Sequence, residues 1–276
     1  MSGTSRISRK FATLRAAGEL GLVAYLTAGD PSPEASERIA LAISEAGADV
    51  IELGVPFSDP IADGPTIQRA SERALRAGTS LAGVLDLLRR IRAQSDVPLV
   101  VFSYFNPVFQ MGAERFADAA AKAGADGVLI TDLTAEEGGS FFQQVRARGL
   151  DTILLAAPTT TDARLKLLAE VSSGFLYLIS RTGVTGAQEA LPDDLPALVR
   201  RIRALTTLPI AVGFGISLPG HVSVLGGLAD AAVVGSALVA EIERASSAEA
   251  AAKAVAEKVR ALKQAGRKGM SRREAV

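Results

Sequence analysis

The sequence predicts an α/β protein, a single (β/α)8 barrel with one additional helix ahead of the first strand. Three observations carry that prediction. Short apolar runs of strand length alternate with helical stretches eight times, as parallel strands buried on both faces require. Three turns repeat one pattern, Glu45-Ala46-Gly47-Ala48-Asp49, Lys122-Ala123-Gly124-Ala125-Asp126 and Gly226-Gly227-Leu228-Ala229-Asp230. In each, a glycine ends a helix and an aspartate opens a strand. Finally, 276 residues is an ordinary length for one such barrel. An open, doubly wound sheet is the alternative for the same alternation.

The elements follow in order. Residues 4–19 form an amphipathic helix, with Ile7, Phe11 and Leu14 at spacings of four and three. Residues 22–27 are the first strand, and the loop from Ala28 to Pro33 opens a helix running through Ile43, with Gly47 as its C-terminal stop. The second strand starts at Val50. A helix from about residue 66 stops at Gly78, and Thr79-Ser80 can cap the next, over 81–94. The third strand covers 97–103 and leads into a loop from Tyr104 that carries Asn106, Pro107 and Phe109. A helix over 116–123 precedes the fourth strand at 127–131, and another over 135–148 precedes the fifth at 152–156. Helices over 162–171 and 195–205 flank the sixth strand at 175–180. The seventh and eighth strands fall at 209–212 and 231–234, and a terminal helix runs to about 264. Residues 1–266 are thus expected to be the barrel domain, and the charged stretch 267–276 a disordered tail.

Composition narrows the chemistry. Thirty Lys and Arg balance thirty Asp and Glu, which argues against nucleic acid and anionic membranes as partners. No apolar run reaches the length of a membrane span and none resembles a secretion signal, so the expectation is a soluble cytoplasmic protein. Cysteine is absent, and the single histidine, His221, is read as solvent-facing at a helix start, so a catalytic metal is not expected. No lysine falls at a strand end, where a Schiff base would need it. Carboxylates, tyrosine and backbone amides remain.

The most unusual stretch is residues 49–66. Glu52 interrupts an apolar strand, and the loop after it is stiffened by Pro56, Pro60 and Pro65 while carrying Asp59 and Asp63. A buried acid is either tied up in a structural ion pair or functional, and the strand alone leaves both open. In this fold the active site lies at the C-terminal ends of the strands. That rule gathers Glu52, Asp63 and Tyr177 with three glycine-containing loops. These are Arg181–Gly186, Gly213-Phe214-Gly215 and Gly235-Ser236, the last opening a short helix. Backbone N–H groups in such loops suit an anion, so Gly186, Gly213, Phe214, Gly215, Gly235 and Ser236 are candidate phosphate ligands. The residues by themselves reach a barrel enzyme that uses carboxylate acid–base chemistry on a phosphorylated metabolite.

The run Ile51–Gln68 closely resembles the signature of the tryptophan synthase α subunit family. Leu26–Pro31, Ser180–Gly186, Gly213–Ser217 and Gly235–Ala237 match further blocks of that family in order. The resemblance implies a TIM barrel lyase performing retro-aldol cleavage of indole-3-glycerol phosphate to indole and glyceraldehyde 3-phosphate. It places the family's catalytic acids on Glu52 and Asp63 and its site tyrosine on Tyr177. It implies a mobile lid carrying Arg181 and Thr185. It also implies no cofactor in this chain, with pyridoxal phosphate confined to a β subunit that joins it in an α-β-β-α complex. Pro56, Asp59, Asn106 and Phe109, on the C-terminal face, are the expected contacts with that partner. Phe102 and Ser103 stand where some members carry Leu or Met, which bears on the shape of the indole pocket. A catalytically degenerate activator subunit and a phosphosugar isomerase or epimerase are the competing readings.

Overall fold

The computed structural model describes residues 5–180, 192–213 and 215–271, with side chains of the last helix described through Arg267. The chain begins α1 (Arg6–Ala16), β1 (Gly21–Thr27), α2 (Pro33–Glu45), β2 (Val50–Gly54), α3 (Pro65–Arg76) and α4 (Leu81–Arg92). It continues β3 (Leu99–Ser103), α5 (Phe105–Met111), α6 (Ala113–Ala123), β4 (Gly127–Ile130), α7 (Gly139–Ala147), β5 (Asp151–Ile153) and β6 (Leu155–Ala156). Then come α8 (Asp162–Val171), β7 (Leu176–Ile179), α9 (Leu195–Arg203), β8 (Ile210–Gly213) and α10 (Pro219–Leu225). The last elements are β9 (Ala231–Val234), α11 (Ser236–Arg244) and α12 (Ala248–Ser271).

All strand pairs are parallel, in the order β5-β4-β3-β2-β1-β9-β8-β7-β6. The two ends of that ladder, β5 and β6, are one stretch of chain divided at Leu154, so the sheet closes on itself as a barrel. This is the predicted (β/α)8 architecture, with the expected fifth strand drawn as two segments.

Side chains alternate between the interior and the helical shell. At the N-terminal end the interior holds Val23, Val50, Val100, Leu129, Ile153 and Phe175. Helix α1 plugs this end with Ile7, Phe11 and Leu14. Phe11 meets Phe175 at a centroid distance of 5.6 Å. Space for the plug is made at Gly127, where a Cβ would lie 2.7 Å from Ile153 and 3.1 Å from Ile7.

The three repeated turns share one device. Asp49, Asp126 and Asp230 accept the backbone N–H of Leu22, Leu99 and Ile210, on the neighbouring strand, at 2.8, 2.9 and 2.8 Å. Each aspartate N–H returns a bond to the carbonyl of that same residue. The pair of bonds fixes the register of adjacent strands where they enter the barrel.

Two expectations need correcting here. Residues 105–111 form helix α5 rather than an open loop, because the Phe105 N–H at its start is held by Asp132 at 2.7 Å, a partner distant in sequence. The terminal helix runs through Ser271, past residue 264 and into the stretch expected to be a disordered tail. Lys263 on it reaches Asp49 at 2.5 Å, and Arg267 pairs with Glu19 at 3.1 Å. Residues 272–276 lie outside the described residues.

Candidate active site

Glu52 is the central residue of β2, in register with Tyr25 on β1 and Val100 on β3. Its alternation with Val50 and Gly54 points it into the barrel. It is 1% exposed, and neither carboxyl oxygen has a hydrogen-bond partner among the described residues. Among the described residues, the structural ion pair that the sequence left open is therefore not formed there. Burial alone raises its pKa from 4.5 to about 8, so the carboxyl is protonated at neutral pH.

Asp63 comes from the loop after β2 and is 8% exposed. A turn from its N–H to the Pro60 carbonyl, 3.0 Å, and the Gln68 amide donating to its own carbonyl, 2.8 Å, fix its backbone. Helix α3 starts two residues later. Burial raises the Asp63 pKa to about 6, opposed by the Tyr104 hydroxyl, which donates to Oδ2 at 3.1 Å. The two acids are therefore poised differently: Glu52 mostly neutral and Asp63 mostly ionised at pH 7.

Tyr104 was not singled out from the sequence, where it looked like the end of a strand. Its hydroxyl also accepts the Ala62 N–H at 3.0 Å, and Phe57 packs on its ring at 5.2 Å. It thus ties the Asp63 loop to β3. Only the pairing of β2 with β3 could reveal this contact.

Tyr177 on β7 and Tyr25 on β1 bring two more rings into the interior, with Phe102 edge-on to Tyr25 at 5.2 Å. Desolvation, and next the charge of Glu52, push the Tyr177 hydroxyl pKa well up. Desolvation, then Asp63, does the same for Tyr25. Two glycines make room for these hydroxyls: a Cβ on Gly54 would lie 2.2 Å from the Tyr25 oxygen, and one on Gly213 would lie 2.4 Å from that of Tyr177. Gly213, predicted as a phosphate ligand, is thus required first by packing. Together with Leu155 these rings form an apolar, aromatic layer beside the acids.

The described members of the glycine loops meet at one side of the rim. Gly213 ends β8 and Gly215 adopts φ +80°, while Gly235 precedes α11 on the adjacent β9 and leaves that helix start without a side-chain cap. Phe214 and the predicted lid and phosphate residues Arg181, Thr185 and Gly186 lie outside the described residues.

His221 corrects an expectation. It is buried, on the same face of α10 as Val222 and Leu225, and its Nδ1 accepts the Ser217 N–H at 3.3 Å. The i, i+4 spacing of His221 and Leu225 was the signal available for this. Of the expected partner contacts, Asp59, Asn106 and Phe109 are exposed, Phe109 by 65%. Pro56 is buried and shapes the loop instead. Ile61, not singled out from the sequence, is 81% exposed on the same loop as Asp59. No helix among the described residues is long and apolar enough to cross a membrane.

A parallel barrel with a neutral acid, an ionised acid and an aromatic layer at its C-terminal mouth defines a carboxylate-based (β/α)8 enzyme. The sequence profile of the tryptophan synthase alpha chain matches residues 11–267. The tryptophan synthase alpha chain of Solibacter usitatus is 53% identical over 248 residues, covering 90% of this chain and 92% of that one. That of Geobacter sp. strain M21 is 49% identical, over 89% and 92%. Among solved structures, Mycobacterium tuberculosis tryptophan synthase superposes with a TM-score of 0.89 at 35% identity, covering 96% and 99%. The alpha subunit from Legionella pneumophila str. Paris superposes with 0.87 at 35% identity, covering 96% and 100%. The chain belongs to the tryptophan synthase alpha chain family. Its activity is that family's lyase reaction in tryptophan biosynthesis, cleavage of indole-3-glycerol phosphate to indole and glyceraldehyde 3-phosphate. The degenerate activator and the isomerase or epimerase are not favoured.

Proposed function

We propose that Glu52 is the proton shuttle of this cleavage and Asp63 its electrostatic partner. The observation that carries the reading is the buried carboxyl of Glu52, which has no partner among the described residues and is protonated at neutral pH. A neutral acid at this position can give its proton to C3 of the indole, leaving the ring cationic. The ionised Asp63 near the ring N–H stabilises that cation. The bond from C3 to the hydroxyl-bearing glycerol carbon then breaks. Its electron pair returns to the ring, and the Glu52 carboxylate takes the hydroxyl proton as the aldehyde forms. The shuttle ends as it began, so no net proton is consumed.

The aromatic layer of Tyr25, Phe102 and Tyr177 suits a flat apolar ring. The rim at Gly213, Gly215, Gly235 and Ser236 suits the phosphate, since the first turn of α11 directs N–H groups and a positive dipole end toward it. No cofactor is required, because both proton transfers and the charge stabilisation come from side chains. The partner is a β subunit bound at the C-terminal face, where indole leaves; exposed Ile61 and Phe109 beside Asp59 and Asn106 support that reading.

The test is incubation with indole-3-glycerol phosphate and detection of free indole. Glu52→Gln should remove more than ~99% of the release while inorganic phosphate still binds, and Asp63→Asn should lose a similar share. Near-native turnover in either variant would sink the assignment.

A further inference from the structure

Helices α3 and α11 both begin at the active site, α3 just after Asp63 and α11 at Ser236. At their far ends they are tied together. Asp30, 0% exposed on the loop after β1, receives a two-pronged bond from Arg73 of α3: Nε to Oδ1 at 2.7 Å and Nη2 to Oδ2 at 2.8 Å. The remaining Arg73 nitrogen, Nη1, donates to Glu243 of α11 at 2.9 Å. Arg69, one turn back on α3, grips the same Glu243 at 2.6 and 2.8 Å. Among the described residues, the apolar cluster between the helices is Ile67, Ala70, Val239 and the Tyr25 ring, with Phe102 packed against it.

That apolar seam is short, and its contacts are less directional than a charged hydrogen bond. A planar guanidinium held by two carboxylates does not slide, because the bidentate geometry is lost within a fraction of an ångström. The Asp30 to Arg73 pair has most weight, being least exposed; the half-exposed Arg69 contributes less.

We propose that Arg73, acting through Asp30 and Glu243, is a positioning residue that fixes the distance between the Asp63 carboxylate and the phosphate-binding end of α11. The inference rests on the roles given above to Asp63 and α11. The substrate spans both sites, so it senses their separation, whereas free inorganic phosphate touches only one. A misplacement well under 1 Å is enough to slow a reaction that needs both ends placed.

The experiment compares the wild-type chain with Arg73→Lys, Glu243→Gln and the pair Asp30→Asn with Arg73→Met. The pair removes the buried charge together with its partner, so it keeps the question answerable if loss of Arg73 alone prevents folding. For each, melting temperature, kcat and KM for indole release, and phosphate affinity by titration calorimetry are measured. The expected result is a fall in kcat/KM of about 10- to 100-fold for the Arg73 variants and a few-fold for Glu243→Gln, with phosphate affinity within about 3-fold. Unchanged kcat/KM in folded variants would overturn the proposal. So would equal losses of phosphate affinity and kcat/KM, which would mean that α11 itself is disturbed. Absence of indole release from the wild-type chain would instead remove the assigned site roles and this inference together.

Discussion

The aspartates that set strand register and the two acids of the active site are treated in opposite ways. At the N-terminal end Asp126 accepts the Leu99 N–H and is held by Arg92 at 2.6 Å and Arg6 at 3.1 Å. Asp49 has the Leu22 N–H and Lys263, and Asp230 the Ile210 N–H and Arg203. At the C-terminal end Glu52 has no partner among the described residues, and Asp63 has a single hydroxyl. The same side-chain chemistry thus serves register in Asp49, Asp126 and Asp230 and reactivity in Glu52 and Asp63, while Asp30 at the C-terminal end is compensated by Arg73. What differs is whether a cation or backbone N–H compensates for lost water. The Glu52 site gives up stability to keep a proton available near neutral pH.

The sharpest way to break this comparison is to neutralise one acid at each end. Asp126→Asn leaves Arg92 poorly compensated and should cost roughly 3–5 kcal/mol, about 10 °C in melting temperature. Glu52→Gln should act in the other direction above neutral pH. The folded-state pKa of Glu52 lies near 8 against an ordinary 4.5, so the folded state binds more protons between those values. The cost of ionising it is absent below pH 4.5, grows as pH rises, and is complete above about 8. It amounts to roughly 5 kcal/mol at most. Relative to wild type, the variant should therefore gain stability from pH 5 to pH 9, as read by denaturant melts. A gap that is constant with pH would show that Glu52 is not held neutral.

The pH dependence of kcat/KM sharpens the contrast within the site. Activity needs Asp63 ionised and Glu52 protonated, so the profile should be bell-shaped, with an acid limb near 6 and an alkaline limb near 8. The Tyr104 hydrogen bond favours the Asp63 carboxylate, so Tyr104→Phe should move the acid limb to higher pH and leave the alkaline limb in place. An acid limb that stays where it was would assign that limb to another group.

The smallest effect on catalysis concerns the exposed rim. Ile61→Ala and Phe109→Ala should each weaken association with a purified β subunit by about 10-fold, while basal cleavage changes less than 2-fold. Calorimetric titration reads the first and indole release the second. Unaltered affinity in both variants would place the interface elsewhere.

The sequence by itself determined the strand and helix elements, because their alternation, the glycine stops and the aspartate-led strands are all written within short windows of chain, whereas closure of the sheet into a barrel rests on the strand pairing. It also singled out Glu52 and Asp63, since a glutamate inside an apolar strand and an aspartate in a proline-stiffened loop stand out locally. Only the tertiary structure decided what surrounds them. Tyr104 reaches Asp63 because β2 pairs with β3, and Gly213 is small because Tyr177 lies against it across β7 and β8. His221 is buried because α10 turns that face inward, and Arg73 finds Asp30 and Glu243 from three separate elements. Even the protonation of Glu52 is a tertiary fact. Its pKa is raised by burial, and burial is a property of the closed barrel rather than of any stretch of chain.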